Sequence, residues 1–330
     1  MKRLNLDLAY MRQRPPKSLV EKLKKPLYSV NEYPSGDYAK LKGKIAKYAG
    51  VKTENILVGN GSDEVIDLIT RAFGKKVIIP VPTFSQFEAA ARRCGNVPKL
   101  VNCMHGMSYK LKFADNDLKK ATLAWVCNPN NPTGSRTTQR EIIDVLQRTD
   151  GVVAVDECLF EYMGETSIPL LQKYRNLIIT RSFSKAFGIA GLRLGYAIAD
   201  KRIIEVLDRI RQPFNVNAVS EAAGLIVFDY LPYFKHAVEE TKMIRDSFCN
   251  ALDASGIRYM KPETPFVFVS FESMGKAKQV FKKLRSAGIN TFPAWDSEFT
   301  ASGKMPFIRF SIGSRDEMNY VIKVIRGVNR

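Results

Sequence analysis

One short stretch of the chain, residues 182–188, carries side chains that suit chemistry on a phosphorylated aldehyde. Lys185 follows two serines, Ser182 and Ser184, just after an apolar segment predicted to be a strand. A lysine amine can form an imine with an aldehyde, while the two hydroxyl groups and Arg193, eight residues further on, can hold a phosphate. The Ser-x-x-Lys spacing also occurs in penicillin-interacting enzymes, but their Ser-Asp-Asn and Lys-Thr-Gly motifs are absent from this sequence. A solvated surface lysine is the remaining alternative for Lys185.

Two further motifs follow predicted strands. Gly59–Glu64 opens a predicted helix, and the free N–H groups at the start of a helix can bind an anion. Ser62 and Asp63 would then contact a cofactor, although either residue could equally serve as the helix cap. Phe84 follows another predicted strand, so its ring could stack on a planar ligand or belong to the core.

Polar side chains also follow two other strands. The turn Asn128–Gly134 contains prolines that hold it extended, so that the amide of Asn131 would be aimed at a ligand oxygen. Asp156 ends a buried strand and could keep the nitrogen of a heterocyclic ring protonated, or it could cap the next turn. A Walker-type magnesium site would also require a Gly-x-x-x-x-Gly-Lys-Ser/Thr loop, and the sequence has none.

The motifs are separated by short β-branched strands that alternate with helical segments. Such alternation predicts an α/β fold in which a mostly parallel sheet is covered by helices on both faces. Ligands of such sheets bind at the carboxyl ends of the strands, and each motif lies at or just after a predicted strand end. We expect an N-terminal arm over residues 1–35, a large cofactor-binding domain over 36–215, and a linking helix with a smaller α+β domain over 216–330.

The composition is that of a globular protein, with 45% hydrophobic and 25% charged residues among 330. The apolar runs are strand-length, far below the ~20 residues of a membrane span. The N-terminus resembles no signal peptide, and we therefore expect a cytoplasmic protein without a membrane partner. Five cysteines without a Cys-x-x-Cys pair and two distant histidines argue against a disulfide framework and a zinc site.

The net charge of +18 is the one unusual bulk property, and it could attract nucleic acid or small anions. Because no basic run is interleaved with aromatic residues, we expect a basic solvated surface without a nucleic-acid partner, and a phosphorylated substrate for any functional charge. An ATPase acting on nucleic acid would need the missing phosphate loop. A regulator built on the same fold would need a DNA-binding domain, for which the residues before the sheet are too few.

Read together, the motifs suit pyridoxal phosphate. Lys185 would form the imine and then move the α-proton, while Asp156 would keep the ring nitrogen charged. Phe84 would stack on the ring face, and Asn131 would reach the ring hydroxyl. The phosphate would be bound by the N–H groups after Gly61 and by Ser62, Ser182, Ser184 and Arg193.

The ordered set of motifs resembles fold-type-I pyridoxal-phosphate aminotransferases, and most of all the histidinol-phosphate aminotransferase family. The resemblance extends from about Asn31 to Arg315 and rests on Gly-Asn-Gly-Ser-Asp-Glu, Asn-Pro-Asn-Asn-Pro-Thr-Gly, Val-Asp-Glu and Ser-Lys-Ala-Phe-Gly-Ile-Ala-Gly-Leu-Arg-Leu-Gly-Tyr. It implies a homodimer in which Tyr33 reaches the cofactor phosphate of the neighbouring subunit. It also implies that Arg309, together with Asn131, binds the substrate.

The same resemblance implies a ping-pong transamination in which histidinol phosphate is the amino donor and 2-oxoglutarate the acceptor. An aromatic or other α-amino acid as donor, and decarboxylation of threonine phosphate, are alternatives within the fold.

Three features depart from the pattern of that family. Leu159 stands where a tyrosine usually donates a hydrogen bond to the ring hydroxyl, which leaves more of this task to Asn131. Gly288–Pro293 contains no arginine, although the family usually carries one there for the substrate phosphate. A single arginine would suit an α-carboxylate at least as well. The chain is also short at its N-terminus, where members of the family contribute part of the substrate pocket.

Overall fold

The computed structural model of the chain describes residues 3–295 and 304–328. Its β-strands are β1 (Leu4–Asn5), β2 (Ile56–Gly59), β3 (Val77–Val81), β4 (Lys99–Asn102), β5 (Met104–His105), β6 (Ser108–Tyr109), β7 (Leu123–Cys127), β8 (Val152–Asp156), β9 (Leu177–Ser182), β10 (Gly195–Ala199), β11 (Tyr259–Met260), β12 (Phe266–Ser270), β13 (Ile289–Asn290), β14 (Phe292–Pro293) and β15 (Phe307–Ser311). Its α-helices are α1 (Lys17–Lys24), α2 (Ala39–Ala49), α3 (Gly61–Phe73), α4 (Gln86–Arg93), α5 (Asp115–Lys120), α6 (Gln139–Arg148), α7 (Phe160–Met163), α8 (Lys201–Ile210), α9 (Ala218–Val227), α10 (Leu231–Asp253), α11 (Met274–Ser286) and α12 (Arg315–Arg326). None of the described helices is both long and apolar enough to span a membrane.

A seven-stranded sheet forms the centre of the molecule, in the order β2-β10-β9-β8-β7-β3-β4. The strands from β9 to β4 run parallel to one another, and β10 is antiparallel to both of its neighbours. The six strands from β2 to β3 in this order are buried along their whole length, because an apolar cluster of side chains packs on each face. The predicted α/β class with a mostly parallel sheet is therefore confirmed.

Several elements were absent from the sequence prediction, among them β4, β5, β6, α5, α7, β10 and α8. The strand β10 was missed because its first residues belong to the Gly195-Tyr196 motif and were considered only for their chemistry. The helix α8 follows Asp200, whose carboxylate caps it by accepting a hydrogen bond from the Arg202 amide. The helical spacing of Ile203, Ile204 and Leu207 was a usable signal for it.

A smaller α+β unit is built on a four-stranded antiparallel sheet in the order β11-β12-β15-β14. Apolar residues of α11, α12 and the second half of α10 form a separate core with this sheet. The alternation of strands and helices in the C-terminal part of the sequence predicted such a unit.

The long helix α10 contributes to both cores. Phe234 and Ala237, near its start, pack in the cluster under the large sheet. Phe248 and Leu252, near its end, are buried in the core of the smaller unit. We therefore propose that the boundary between the two domains lies within α10, so that α9 and the first turns of α10 belong with the large domain.

The N-terminal residues 4–11, which we call the strap, connect the two domains a second time. β1 pairs in parallel with β13, and Leu6 is fully buried in the core of the smaller domain. Met11, at the other end of the strap, is buried in the core of the large domain. The main chain between these two anchors contacts side chains of the site described next.

Candidate active site

A cavity of about 170 Å³ lies at the carboxyl ends of β7, β8 and β9. Its lining consists of Ser62, Asp63, Phe84, Cys127, Pro129, Asn131, Asp156, Cys158, Leu159, Ser182, Ser184, Lys185, Ala190 and Arg193. The structure thus brings together in one cavity every residue that the sequence places in the site, except Tyr33 and Arg309. Tyr33 lies outside the cavity, and Arg309 contacts the lining residue Asn131 from the smaller domain, as described below.

One end of the cavity is formed where the loop after β9 meets the start of α3. The two parts of the chain approach closely because glycines stand at the contact. A Cβ atom on Gly61, whose φ is +78°, would lie 2.5 Å from Nη2 of Arg193. A Cβ atom on Gly195 would lie 2.4 Å from the amide nitrogen of Ser62. Any larger residue would push the guanidinium or the helix start away, so both positions require glycine.

The charge of Arg193 is balanced within this end of the cavity. Its Nη2 lies 2.8 Å from Oδ2 of Asp63, and its Nη1 donates to Oγ of Ser184 over 3.3 Å. The first residue before α3 is Asn60 and no side chain caps the helix, so the alternative reading of Ser62 and Asp63 as helix caps does not describe this structure. Asp63 instead neutralises Arg193.

The other end of the cavity contains Asp156, the last residue of β8. Its side chain is only 4% exposed, and burial raises the pKa of its carboxyl group. Oδ1 accepts hydrogen bonds from Oγ1 of Thr180, 3.1 Å away, and from the Cys158 amide, 3.0 Å away. Thr180 was not predicted from the sequence, although its position two residues before Ser182 on the same strand places both side chains on one face.

Lys185 lines the same cavity, close enough to Asp63 at one end and Asp156 at the other for both charges to act on its amine. Its Nζ donates a hydrogen bond of 2.7 Å to the main-chain carbonyl of Ala9 in the strap. Burial lowers the pKa of the amine, and the nearby positive charge of Arg309 lowers it further. A larger fraction of neutral amine at a given pH follows, and the neutral amine is the form that reacts with an aldehyde or accepts a proton.

Arg309, on β15, approaches the cavity from the smaller domain. Nη1 donates to Oδ1 of Asn131 over 2.6 Å, and Nη2 donates to the carbonyl oxygen of Asp7 over 2.5 Å. The guanidinium carbon lies 4.5 Å from the centre of the Phe292 ring and 5.0 Å from that of Phe266. Because the side chain is buried, the pKa of the guanidinium is lowered to about 10.

The loop that carries Asn131 is held by its neighbour, Asn130. The amide nitrogen of the Asn130 side chain donates to the Pro82 carbonyl over 3.0 Å and to Oγ1 of Thr133 over 2.8 Å. Its oxygen accepts from Oγ1 of Thr83 over 2.8 Å. These bonds tie the turn after β7 to the turn after β3 and fix the direction of Asn131.

Three other residues singled out from the sequence have different surroundings. Leu159 is buried in an apolar cluster that includes Ala9 of the strap, so its side chain offers the strap an apolar contact surface. Phe84 lines the cavity and packs edge-on against Phe87, with ring centres 5.7 Å apart. Tyr33 is 82% exposed and its ring lies 4.8 Å from that of Phe214, outside the cavity.

The donor set fits pyridoxal phosphate. Two serine hydroxyls, a helix start and an arginine converge at one end and suit a phosphate. A buried carboxyl group at the other end suits a ring nitrogen that carries a proton, and an amine of lowered pKa between them suits the aldehyde. Of the residues that sequence reasoning missed, Thr180 supports the carboxyl group, while Asp7 and Ala9 contact Arg309 and Lys185. No motif in the first ten residues indicated these last two contacts.

Comparison with known proteins gives an independent view of the chain. The family model for aminotransferase class I and II matches residues 4–325. The histidinol-phosphate aminotransferase of Caldanaerobacter subterraneus subsp. tengcongensis is 34% identical over 305 residues, which cover 91% of this chain and 85% of that protein. The histidinol-phosphate aminotransferase structure from Clostridium acetobutylicum matches with a TM-score of 0.89 at 24% identity and 98% coverage of each chain.

A further solved structure, that of histidinol-phosphate aminotransferase from Sinorhizobium meliloti in complex with pyridoxal-5'-phosphate, matches with a TM-score of 0.84 at 22% identity. It covers 98% of this chain and 91% of its own. The family model spans nearly the whole sequence, and the structural matches share the fold of both domains. The chain belongs to the aminotransferase class I and II family.

Proposed function

We propose that this aminotransferase transfers the amino group of histidinol phosphate to 2-oxoglutarate in two alternating half-reactions, with pyridoxal phosphate as its cofactor. The observation that carries the proposal is the position of Lys185 between a buried carboxyl group and a phosphate-binding group in one cavity. The family assignment supports the reaction class. The histidinol-phosphate aminotransferases among its relatives, at 34% identity in one case, support the donor.

Each end of the cavity has its own task in holding the cofactor. When bound, pyridoxal phosphate supplies an electrophilic aldehyde carbon and a ring that accepts electrons. Asp156 would hold a proton on the ring nitrogen, and Phe84 would pack on the ring face. Asn131 would hydrogen-bond the ring hydroxyl. The phosphate would be held by the start of α3 and by Ser62, Ser182, Ser184 and Arg193, with Asp63 orienting the arginine.

Lys185 would carry the proton during the reaction. Its Nζ is buried, and its pKa is lowered by that burial and by Arg309, so a larger fraction of the neutral amine needed to take a proton from the substrate Cα is present at a given pH. The carbonyl of Ala9 accepts a hydrogen bond from the same nitrogen and orients it. Apolar cover from Leu159 and Ala9 would exclude water from this proton transfer.

Arg309 and Asn131 would bind the anionic group of the donor. The guanidinium of Arg309 would accommodate the phosphate of histidinol phosphate. It would also fit the α-carboxylate of an aromatic or other amino acid. The latter is a second candidate donor, favoured by the absence of any arginine from Gly288–Pro293.

The test is a half-reaction followed by absorption spectroscopy. Purified protein loaded with pyridoxal phosphate is mixed with histidinol phosphate and no keto acid. We expect the visible band of the bound aldehyde form to disappear and the spectrum of pyridoxamine phosphate to replace it, and 2-oxoglutarate to restore the original band. A visible band that withstands histidinol phosphate but bleaches with phenylalanine, tyrosine or aspartate would reassign the donor to a carboxylate-bearing amino acid.

Further measurements test cofactor binding separately from the reaction with the donor. The variant Lys185→Ala should still bind the cofactor but should form no pyridoxamine phosphate with any donor. Release of carbon dioxide from threonine phosphate, measured under the same conditions, would instead favour the decarboxylase alternative. Failure of the unmodified protein to retain pyridoxal phosphate after dialysis would contradict the proposal as a whole.

We further propose a homodimer that works in the cytoplasm, in which Tyr33 of each subunit contacts the cofactor phosphate of the other. Support comes from the exposed position of the Tyr33 ring, which lies beside the half-exposed Phe214 and outside the cavity of its own chain. Light scattering should give twice the mass of the chain. The variant Tyr33→Phe should bind pyridoxal phosphate more weakly without losing the dimer, and a monomeric wild-type protein with full activity would contradict the assignment.

A further inference from the structure

A buried ion pair lies directly behind the cavity, at the ends of the two strands that carry its central residues. Nη2 of Arg181 lies 2.8 Å from Oε2 of Glu157, and Nε of the same arginine lies 3.1 Å from that oxygen. The side chains are 3% and 0% exposed, respectively. None of the cavity-lining residues belongs to this pair, so the reaction described above does not use it directly.

Further hydrogen bonds join the pair to a loop. Thr166 donates from Oγ1 to Oε2 of Glu157 over 2.8 Å and accepts from Nη2 of Arg181 over 2.6 Å. The Ser167 amide donates to Oε1 of Glu157 over 2.5 Å. We call these four residues, Glu157, Thr166, Ser167 and Arg181, the clamp. Every oxygen of the carboxylate has a donor, which is the condition under which a buried charge is tolerated.

The clamp is connected to the site by strand geometry. Glu157 follows Asp156, and Arg181 precedes Ser182 in the neighbouring parallel strand, where Asp156 is paired with Thr180. Because side chains alternate along a strand, Thr180 and Ser182 face the cavity while Arg181 faces the opposite side of the sheet. The clamp therefore joins the ends of β8 and β9 on one side of the sheet. On the other side of the sheet, the same strand ends carry Asp156 and Ser182, which line the cavity.

The positive charge in the clamp is firmly held. Burial alone would lower the pKa of Arg181, but the carboxylate of Glu157 outweighs burial and the pKa is raised. The Phe160 ring lies 3.5 Å from the guanidinium carbon and covers its face. An ion pair enclosed in this way has one arrangement available to it, unlike an exposed pair whose long side chains sample many.

We propose that Glu157 and Arg181 are positioning residues, which set the distance between Asp156 and the turn from Ser182 to Lys185. This inference rests on the proposed function, since these two parts of the site must contact opposite ends of a single cofactor molecule. A relative shift of the two strand ends would misplace one contact or the other, and such shifts lower rates steeply in catalytic sites.

The experiment separates positioning from stability by means of three variants: Glu157→Met, Arg181→Met and the double variant. Each single change leaves a buried charge without its partner, so both should lower the melting temperature strongly. The double change removes both charges at similar volume and should restore the melting temperature to within a few degrees of the original protein. A purely structural pair would then be fully rescued.

The positioning role predicts that the double variant is not rescued in two other measurements. Its kcat should stay about tenfold or more below that of the original protein. The pH at which the visible band of the bound cofactor changes should shift by about half a unit or more, because the distance between Asp156 and the ring differs. Recovery of both quantities together with the melting temperature would overturn the proposal.

Two control variants test the specificity of these effects. Arg148, in α6, makes ion pairs with Asp115 and Asp144 away from the cavity, in a more exposed position, so Arg148→Met should change neither kcat nor the spectral pH midpoint. Burial raises the pKa of the neighbouring Glu161 to about 7, and Glu161→Gln identifies any part of the titration that belongs to this residue.

A last variant covers the case in which the double variant does not fold. Thr166→Val removes only the hydroxyl group that touches both charges, and it should shift the spectral midpoint in the same direction by a smaller amount. An unchanged midpoint and an unchanged kcat in this variant would also overturn the proposal. Loss of cofactor binding in wild-type protein would instead refute the proposed function on which the inference rests.

Discussion

The phosphate end of the cavity is constructed differently from the region around Arg309 beside the cavity, where the substrate would bind and which we call the substrate end. The phosphate end is built within the large domain, from α3 and from the loop that follows β9, and its arginine is half-exposed and paired with Asp63. The substrate end combines Arg309 from the smaller domain, Asn131 from the large domain and Asp7 from the strap. Arg309 is 5% exposed, and its guanidinium contacts neutral oxygens of the other two residues.

The two ends differ in how the positive charge of the arginine is balanced by a nearby carboxylate. Asp63 balances the charge of Arg193 whether or not an anion is bound. Among the described residues we find no carboxylate in ion-pair contact with Arg309, and its buried Nε has no hydrogen-bond partner there. The charge of Asp7 acts on Arg309 without an ion-pair contact and does not outweigh burial, and a buried cation whose hydrogen bonds go only to neutral oxygens is costly to the fold. We infer that the substrate end keeps a cation without a paired carboxylate for the anionic group of a substrate, which binds and leaves, while the phosphate end is balanced for the cofactor, which stays bound.

The largest effect is expected from Lys185, whose amine is influenced by the charges of Arg309 at the substrate end and Asp63 at the phosphate end. Lys185→Ala should lower the rate of the half-reaction by about a thousandfold or more, because the base that moves the proton is removed. Pyridoxal phosphate should still bind, because the contacts at the phosphate end are untouched. Stopped-flow absorption measures the first quantity and dialysis equilibrium the second. A loss of cofactor binding as large as the loss of rate would show that cofactor binding at the phosphate end depends on Lys185.

Replacing Arg309 and Arg193 in turn tests whether the charge is balanced differently at the two ends. Arg309→Met should raise the KM for the donor by about ten- to a hundredfold, since a charged hydrogen bond to a ligand contributes about 1.5–3 kcal/mol. It should also raise the free energy of unfolding of the cofactor-free protein by about 1 kcal/mol, because a buried charge has been removed. Enzyme kinetics and urea unfolding provide the two measurements.

Arg193→Met is the matched change at the other end. It should weaken the binding of pyridoxal phosphate and change the free energy of unfolding by less than about 1 kcal/mol, because the pair with Asp63 is exposed. A larger loss of stability in Arg309→Met than in Arg193→Met would contradict our account of which charge is compensated.

A smaller effect should connect Arg309 to Lys185. The positive charge of Arg309 contributes to the lowered pKa of the lysine amine, so Arg309→Met should raise that pKa back towards the ordinary value. Only the neutral amine reacts with an aldehyde, and the rate at which cofactor-free protein captures pyridoxal phosphate should therefore rise with pH through a midpoint that is higher in the variant. Identical midpoints would indicate that burial alone lowers the pKa of Lys185.

The smallest effect is expected at Leu159. The resemblance to the histidinol-phosphate aminotransferase family implies that a tyrosine here would donate to the ring hydroxyl, and Leu159→Tyr should accordingly lower the pH at which the visible band of the bound cofactor titrates. Because Leu159 packs against Ala9, the larger ring must also displace the strap, at a cost of about 1–3 kcal/mol in unfolding free energy. An unchanged spectral midpoint would show that Asn131 already performs the task.

Sequence reasoning was most successful where chemistry and chain order coincide. Every cavity residue from Ser62 to Arg193 that it proposed ends a strand of the large sheet or lies in the segment beyond it, and parallel strands bring such positions to one edge. Elements such as the antiparallel strand β10 and the helix α8 were missed, since neither contributes a side chain to a motif beyond Gly195 and Tyr196.

Contacts between distant segments could not be predicted from the sequence. The hydrogen bonds from Lys185 and Arg309 to the strap go to main-chain carbonyls of Ala9 and Asp7. Any residue type supplies such an oxygen, so no side chain marks the contact. The pair of Glu157 and Arg181 is equally hidden, because charged residues at strand ends are usually solvated and only the packing of α7 and the next loop encloses them.

The strap also has a consequence for the order in which the protein is made. Leu4 and Asn5 leave the ribosome long before Ile289 and Asn290, the residues with which they pair in parallel. Closing so long a loop must wait until the second domain has been synthesised. The large sheet and its phosphate-binding residues are complete well before that point. A nascent chain should therefore be able to capture its cofactor before it can recognise a substrate.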